Sequence, residues 1–495
     1  MLTLALSMLC ASPGPRPAPA AIAAAVDSLA LRIVAAGLTP GLGVAVVMDG
    51  KTILARSYGF ADVDQAIRAD ERTLWYLAST SKSYTGFGVS LLAQQGVLRF
   101  DQPIAELLPG RAWYPGVDPQ RLTLAQFLSH THHLNDNAIV QSAAYTGEIP
   151  EARWPELLRL AAPTGNADLV YSNFGYNVAA MVIDVKRKEG WRRYLETAVY
   201  APAGMQETYT HLSGLERSRI ALPHTLRADG SFATAPFQKT DVTMNSAGGH
   251  VATLHDLARW VIVQLDSGRI DGRQVFPKAA VALSHTLIAR HTVEQSKRFA
   301  YFDREGWGAG WDLGSYEGEP MVSRFGGYHT IRSHLSMLPR RRIGVVAQAN
   351  GRPGGAATDL IAAYAYDLEA GKPNARAVME QRLQQLMAQL KSGLLAIAVS
   401  DSVRASRQKP LERPVADFLG AYFDPAYGTV HIVQQSGKLA FQWGALQGPA
   451  EVFDASKHQL RVEIAGSGNV ITFQFAGSGP ASAIDFQGVT LQRRE

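Results

Sequence analysis

Ser79-Thr80-Ser81-Lys82 places a hydroxyl nucleophile three residues before a lysine. On a helix, residues three apart share a face, so Lys82 can lie against the Ser79 hydroxyl. A serine hydroxyl is a poor nucleophile at neutral pH and needs an adjacent base or charge to draw off its proton. Downstream, Tyr84, Phe87 and Leu91 form an apolar stripe and Gly96 supplies a stop, so the tetrapeptide opens a helix. By itself Ser-x-x-Lys occurs often by chance. Its weight rests on what else the chain carries.

The chain has 495 residues, 46% hydrophobic and 18% charged, an ordinary globular composition long enough for two domains. A net charge of +5 is spread thinly over this length. The tight basic run Arg340-Arg341-Arg342 follows Pro339 and reads as a turn between strands. With no basic stripe interleaved with aromatics, the pattern argues against nucleic-acid binding. The single cysteine, Cys10, lies within the apolar run Leu2 to Ala11, which is too short to span a bilayer. Ala18-Pro19-Ala20 fits a cleavage site, so residues 1–20 read as a signal peptide, although without a basic n-region. The expectation is a periplasmic or secreted protein with no stable membrane span and, once processed, no thiol chemistry.

Ala21 to Gly37 reads as a helix. Gly43 to Met48 and Thr52 to Tyr58 read as strands joined at Asp49-Gly50, a hairpin signal. From about Thr73 to Gln264 the pattern is mostly helical, and Arg332 to Leu338 and Ile343 to Ala349 read as two more strands around Pro339. Strands from both ends of a segment with helices inserted between them indicate an α+β architecture. Val378 to Leu390 is helical, and Ser400 to Pro414 turns polar, as a linker would. Short alternating strands from Phe418 to Arg493 indicate a small all-β domain, a sandwich or barrel.

Two further elements carry chemistry. In Tyr171-Ser172-Asn173, a phenol near a lysine has its pKa lowered and can relay the serine proton, while the Asn173 amide can hold a substrate carbonyl or the lysine. The bland alternative is a helix-start loop capped by Ser172 or Asn173. In Arg324-Phe325-Gly326-Gly327, glycines allow close backbone approach, so the Gly327 N–H can face an oxyanion with the Ser79 N–H as second donor. Here the alternative is a glycine turn into a strand.

In this order the three elements resemble the serine β-lactamase and penicillin-binding-protein superfamily, in its class C β-lactamase-like branch. Flanking text agrees: Leu122 to His130, Pro202 to Met205, Ala247 to Asp256, Gly306 to Trp311 and Gly344 to Asn350. The resemblance covers roughly residues 22–370, with 371–414 as helix and linker. Gly420 to Gly428 resembles the small β domain often appended, here 415–495. The resemblance implies an antiparallel sheet flanked by helices plus an all-helical subdomain. It also implies an acyl-enzyme on Ser79, with Lys82 and Tyr171 managing the proton. Asn173, Arg324 and Gly326 then contact substrate, and the N–H groups of Ser79 and Gly327 hold the oxyanion. Small-molecule or peptide esters and amides are the implied substrates, with no cofactor.

Two departures stand out. Arg324 replaces the usual Lys or His: it keeps the charge and can grip a carboxylate, but cannot transfer protons. His132-His133 stand where relatives carry Ser-Gly before Leu134, a change costing about 1 kcal/mol or more where φ is positive. The cluster His130, His132, His133 and Asp136 invites a metal reading, but its spacing matches no HExxH helix, and none is expected. The rival functions are a D-amino-acid or peptidoglycan-type peptidase and, from another class, a catalytically impaired binding protein that keeps the fold.

Overall fold

Every residue of the strand Gly41–Met48 is buried, as a strand covered on both faces requires. Val44 and Val46 join one hydrophobic cluster while Ala45 and Val47 join another, the period-two alternation of a pleated strand. The strand lies within an antiparallel sheet in the computed structural model, which describes residues 16–165, 169–296, 301–407, 410–464 and 467–494. The run Leu2 to Ala11, with Cys10, lies outside those residues.

Among the described residues the sheet has nine strands, in the order Ala289–Arg290, Asp303–Trp307, Asp312–Tyr316, Glu319–Tyr328, Ile331–Leu338, Ile343–Ala349, Gly41–Met48, Lys51–Asp62 and Ile67–Arg68. Met48 pairs with Lys51 across the Asp49-Gly50 turn, and Leu42 pairs with Ala349. Strands from the two ends of the unit therefore meet, and the intervening chain is an insertion. One face of the sheet packs on the helices Pro19–Ala35 and Gly354–Glu369 through Val26, Leu29, Leu360 and Ile361. The other packs on Lys82–Gln94 and Leu254–Leu265 through Phe87, Trp260 and Val261. Pro-Gly pairs at 109–110 and 115–116 help break the insertion into short helices and loops; the helix Phe174–Lys186 is among its longer pieces.

The helix Ala375–Ser406 runs 32 residues, past the point where sequence polarity suggested a linker. Ser, Asp and Arg at 400–406 are compatible with an exposed helix, and Arg404 ties its end to Glu451 at 2.9 Å. By length and composition this helix is long and apolar enough to cross a membrane. Its first half, however, is held by Arg32 and Glu380 (2.6 Å) and buries Met379, Leu383 and Leu386, so both ends rest on folded protein. Leu395, Val399 and Val403 are exposed.

Eight strands between Gly420 and Arg494 close into a barrel, with the first strand pairing the last at Ala421 and Arg494. Tyr422, Phe441, Trp443, Phe473 and Phe486 fill its core, which Phe237 of the larger unit joins. The barrel docks through the Ala445 N–H on the Thr146 carbonyl (2.6 Å) and the Thr429 N–H on the Glu148 carboxylate (3.2 Å).

Candidate active site

Ala78 is held at φ 47°, a left-handed conformation unfavourable for a residue with a Cβ. It delivers the chain into a tight 3-10 turn, Ala78–Ser81, that precedes the helix Lys82–Gln94. This turn presents Ser79 at the head of the helix and Lys82 beneath it. The Lys82 side chain is fully buried. Its ammonium donates to Ser79 Oγ at 3.1 Å, Asn173 Oδ1 at 2.6 Å and the Ala247 carbonyl at 2.7 Å. Three N–H bonds meet three neutral acceptors. Burial without a carboxylate partner draws the Lys82 pKa down to about 8.

Tyr171 approaches from the other side, its hydroxyl donating to Ser79 Oγ at 2.8 Å. Arg324 Nη2 donates to that same phenol oxygen at 2.9 Å, and Arg324 Nε donates to the Ser79 carbonyl at 2.9 Å. Burial alone raises the phenol pKa, but the charges of Lys82 and Arg324 outweigh it and bring Tyr171 to about 8. Tyr171 is 40% exposed, and it forms one lip of the cleft while its hydroxyl reaches Ser79. Arg324 is buried over Trp307, 4.7 Å from the ring centre, a placement that holds the guanidinium without a carboxylate.

The Tyr171 segment has its own support. The Ser172 hydroxyl donates to the Asp136 carboxylate, and the Phe174 N–H reaches both Asp136 (3.3 Å) and Ser172 Oγ (3.0 Å). Ser172 Oγ thus accepts the first N–H of the helix Phe174–Lys186, whose N-cap is Asn173, and the same contacts hold Tyr171 and Asn173 in place. The two readings are compatible.

Gly326 and Gly327 lie inside the strand Glu319–Tyr328, opposite Ser333 and Arg332, so the motif is strand rather than turn. A Cβ on Gly326 would meet the Leu77 carbonyl at 2.3 Å and the Ser79 nitrogen at 3.0 Å, which is why the strand can press against the nucleophile turn. Thr80 Oγ1 locks the two by donating to the Arg324 carbonyl at 3.2 Å.

The histidines have other duties. His130 Nδ1 accepts the Ser172 N–H at 3.2 Å, and its ring lies 4.6 Å from Tyr171 and 4.5 Å from Trp307. Burial and the nearby cations push its pKa well down, so it stays neutral. His132 stacks on Phe127 at 4.9 Å, and its Nδ1 accepts the Leu134 N–H at 3.1 Å. His133 sits at φ 55°, the left-handed conformation that a glycine adopts without steric cost. Among the described residues no three His, Cys, Asp or Glu side chains converge as metal ligands do.

Trp307 lines the cleft. Trp311 stacks on Trp260 in the core, and Tyr316 is buried with its hydroxyl on Asp367 at 2.6 Å. Sequence reasoning missed Arg332, which lines the same cleft, and Lys239, which sits 3.9 Å over the Tyr328 ring. Neither lies in a motif. Arg332 is brought in by strand register with Gly327.

A family model described as Beta-lactamase matches residues 26–369. Penicillin-binding protein 4 of Amycolatopsis lactamdurans is 26% identical over 326 residues, covering 63% of this chain and 81% of that protein. Protein flp of Staphylococcus aureus (strain NCTC 8325 / PS 47) is 21% identical over 330 residues, covering 66% of this chain; the chain spans 62% of its length. Among solved structures, the octameric penicillin-binding protein homologue from Pyrococcus abyssi aligns over 94% of this chain and 99% of its own, with TM-score 0.59 and 17% identity. SurE aligns over 96% and 99%, with TM-score 0.57 and 19% identity. At these identities the structural likeness carries the fold, barrel included.

Proposed function

The chain belongs to the Beta-lactamase family, and on that premise we propose that it is a serine hydrolase forming an acyl-enzyme on Ser79 with ester or amide substrates. One observation carries the reading: Ser79 Oγ lies 3.1 Å from Lys82 Nζ and 2.8 Å from the Tyr171 hydroxyl, both groups drawn to a pKa of about 8. A proton can pass among groups so matched at little cost.

In the proposed sequence the Lys82–Tyr171 pair, one proton short, takes the Ser79 proton as Oγ attacks the carbonyl carbon. The Ser79 and Gly327 N–H groups hold the oxyanion, and Asn173 orients the acyl portion. On collapse Tyr171 returns the proton to the leaving oxygen or nitrogen as its bond to the acyl carbon breaks. Water then attacks the ester carbon, giving its proton to Tyr171, and Ser79 leaves reprotonated. Arg324 stabilises the phenolate and transfers no proton, so the replacement of the family's Lys or His is consistent with activity. Labelling by a fluorophosphonate, lost in Ser79→Ala, is the expected outcome. Wild-type protein resistant to that probe would overturn the proposal.

A specific observation favours a peptidase variant of the same chemistry. The Arg332 guanidinium lines the cleft beside Gly327, where the Asp359 carboxylate on the same cleft wall attracts it without a direct ion pair. Such a cation suits a leaving group bearing a carboxylate, as in a D-aminoacyl peptide. Faster turnover of the dipeptide D-alanyl-D-alanine than of neutral esters, reduced in Arg332→Gln, is the outcome that selects it. Export from the cytoplasm, inferred from Leu2 to Ala20, is part of the same proposal.

A further inference from the structure

Ser79 borders two spaces of unequal size. The wide cleft measures about 870 Å³ and is lined by Tyr171, Trp307 and Arg332 but not Asn173. On the other side a compartment of about 50 Å³ is lined by Asn173, Val140, Tyr145 and Tyr328 but not Tyr171. Tyr171 is the group placed to hand a proton to the departing atom, so the leaving group belongs in the wide cleft. The acyl portion then falls in the small compartment.

In the same measure the compartment is less than a tenth of the wide cleft. Its wall is braced. Tyr145 stacks on Tyr328 at 5.3 Å, and the Tyr328 hydroxyl donates to the Ala144 carbonyl at 2.8 Å. The Lys239 ammonium, 3.9 Å over the Tyr328 ring, donates to the Ala144 carbonyl and, at 3.0 Å, to the Thr243 carbonyl. Behind this wall lies the barrel: Tyr145 and Tyr328 pack against its core cluster, and its Ala445 N–H holds Thr146 at 2.6 Å. Displacement of Tyr145 or Tyr328 would disturb their packing on the barrel.

We infer that this protein selects acyl donors whose acyl group is small beside a bulky leaving group, and that Val140, Tyr145 and Tyr328 set the limit. The inference rests on the Ser79 acyl-enzyme reading. Bulky acyl groups, such as an aromatic side chain next to the scissile carbonyl, are disfavoured by size.

The test holds the leaving group constant: kcat/KM of the full chain on p-nitrophenyl acetate, butyrate and hexanoate. Acetate is expected to exceed hexanoate by about tenfold or more, the discrimination a filled pocket exerts on added methylenes. Val140→Ala, a mild change in a short helix, and Tyr145→Ala are each expected to raise the hexanoate-to-acetate ratio. A flat or rising profile in wild type overturns the size limit while leaving the serine hydrolase reading standing. A falling profile that neither variant alters removes these residues as the wall. No hydrolysis of any ester together with no fluorophosphonate labelling removes the acyl-enzyme reading itself.

Discussion

Arg324 shows how one side chain can change a site's chemistry without emptying it. Its charge lowers the pKa of Tyr171 and, by repulsion, that of Lys82. If the active form is the pair short of one proton, kcat/KM rises with pH through about 8. In Arg324→Gln both pKa values move up, so this limb should shift to higher pH by about one unit or more, and Arg324→Lys should restore part of the shift. A limb that does not move would show that Arg324 has no electrostatic part in the reaction. Ser79, Lys82, Tyr171, Asn173 and Arg324 were all legible in the sequence because short spacings put them in recognisable order. Arg332 and Lys239 were not, since only sheet register and loop packing bring them near Ser79.

At the scale of elements, the site depends on a strand pressed against a turn. Gly326→Ala would push the Leu77 carbonyl and the Ser79 nitrogen aside, and a displacement near 1 Å there is worth about 100-fold in kcat/KM. Steady-state kinetics on a folded variant, verified by its thermal melt, measures this; near wild-type activity would contradict the contact. Asp136→Ala would strip the Ser172 hydroxyl of its acceptor and weaken the start of the helix Phe174–Lys186. About 1–3 kcal/mol of stability should be lost, as read by urea unfolding, with lower activity because Tyr171 is displaced. In the sequence Asp136 looked like part of a histidine cluster. Its actual partner lies 36 residues away, a distance that local patterns do not bridge. The long helix was also under-read: polar residues 400–406 suit an exposed helix as well as a linker, and composition does not separate the two.

Across the whole molecule, the barrel and the larger unit meet at the wall of the proposed acyl compartment. Gly444 carries a φ of 55°, and a Cβ there would meet the Thr146 carbonyl at 2.2 Å. Gly444→Ala should therefore loosen the docking, read as faster hydrogen exchange over residues 142–149 and weaker discrimination against long acyl chains. Unchanged exchange would show that the contact is not a brace. The barrel itself could be expected from its short alternating strands; where it docks could not, because that depends on Thr146, Glu148 and Phe237 in a distant part of the chain. All of this turns on Ser79 carrying the acyl group. Rapid mixing with p-nitrophenyl acetate, acid quenching and peptide mass mapping tests it most directly. Acylation of Ser79 gives a burst of p-nitrophenol stoichiometric with protein and an acetyl group on the peptide containing Ser79; turnover with no acyl group on Ser79, or with one on another residue, would rule that acylation out.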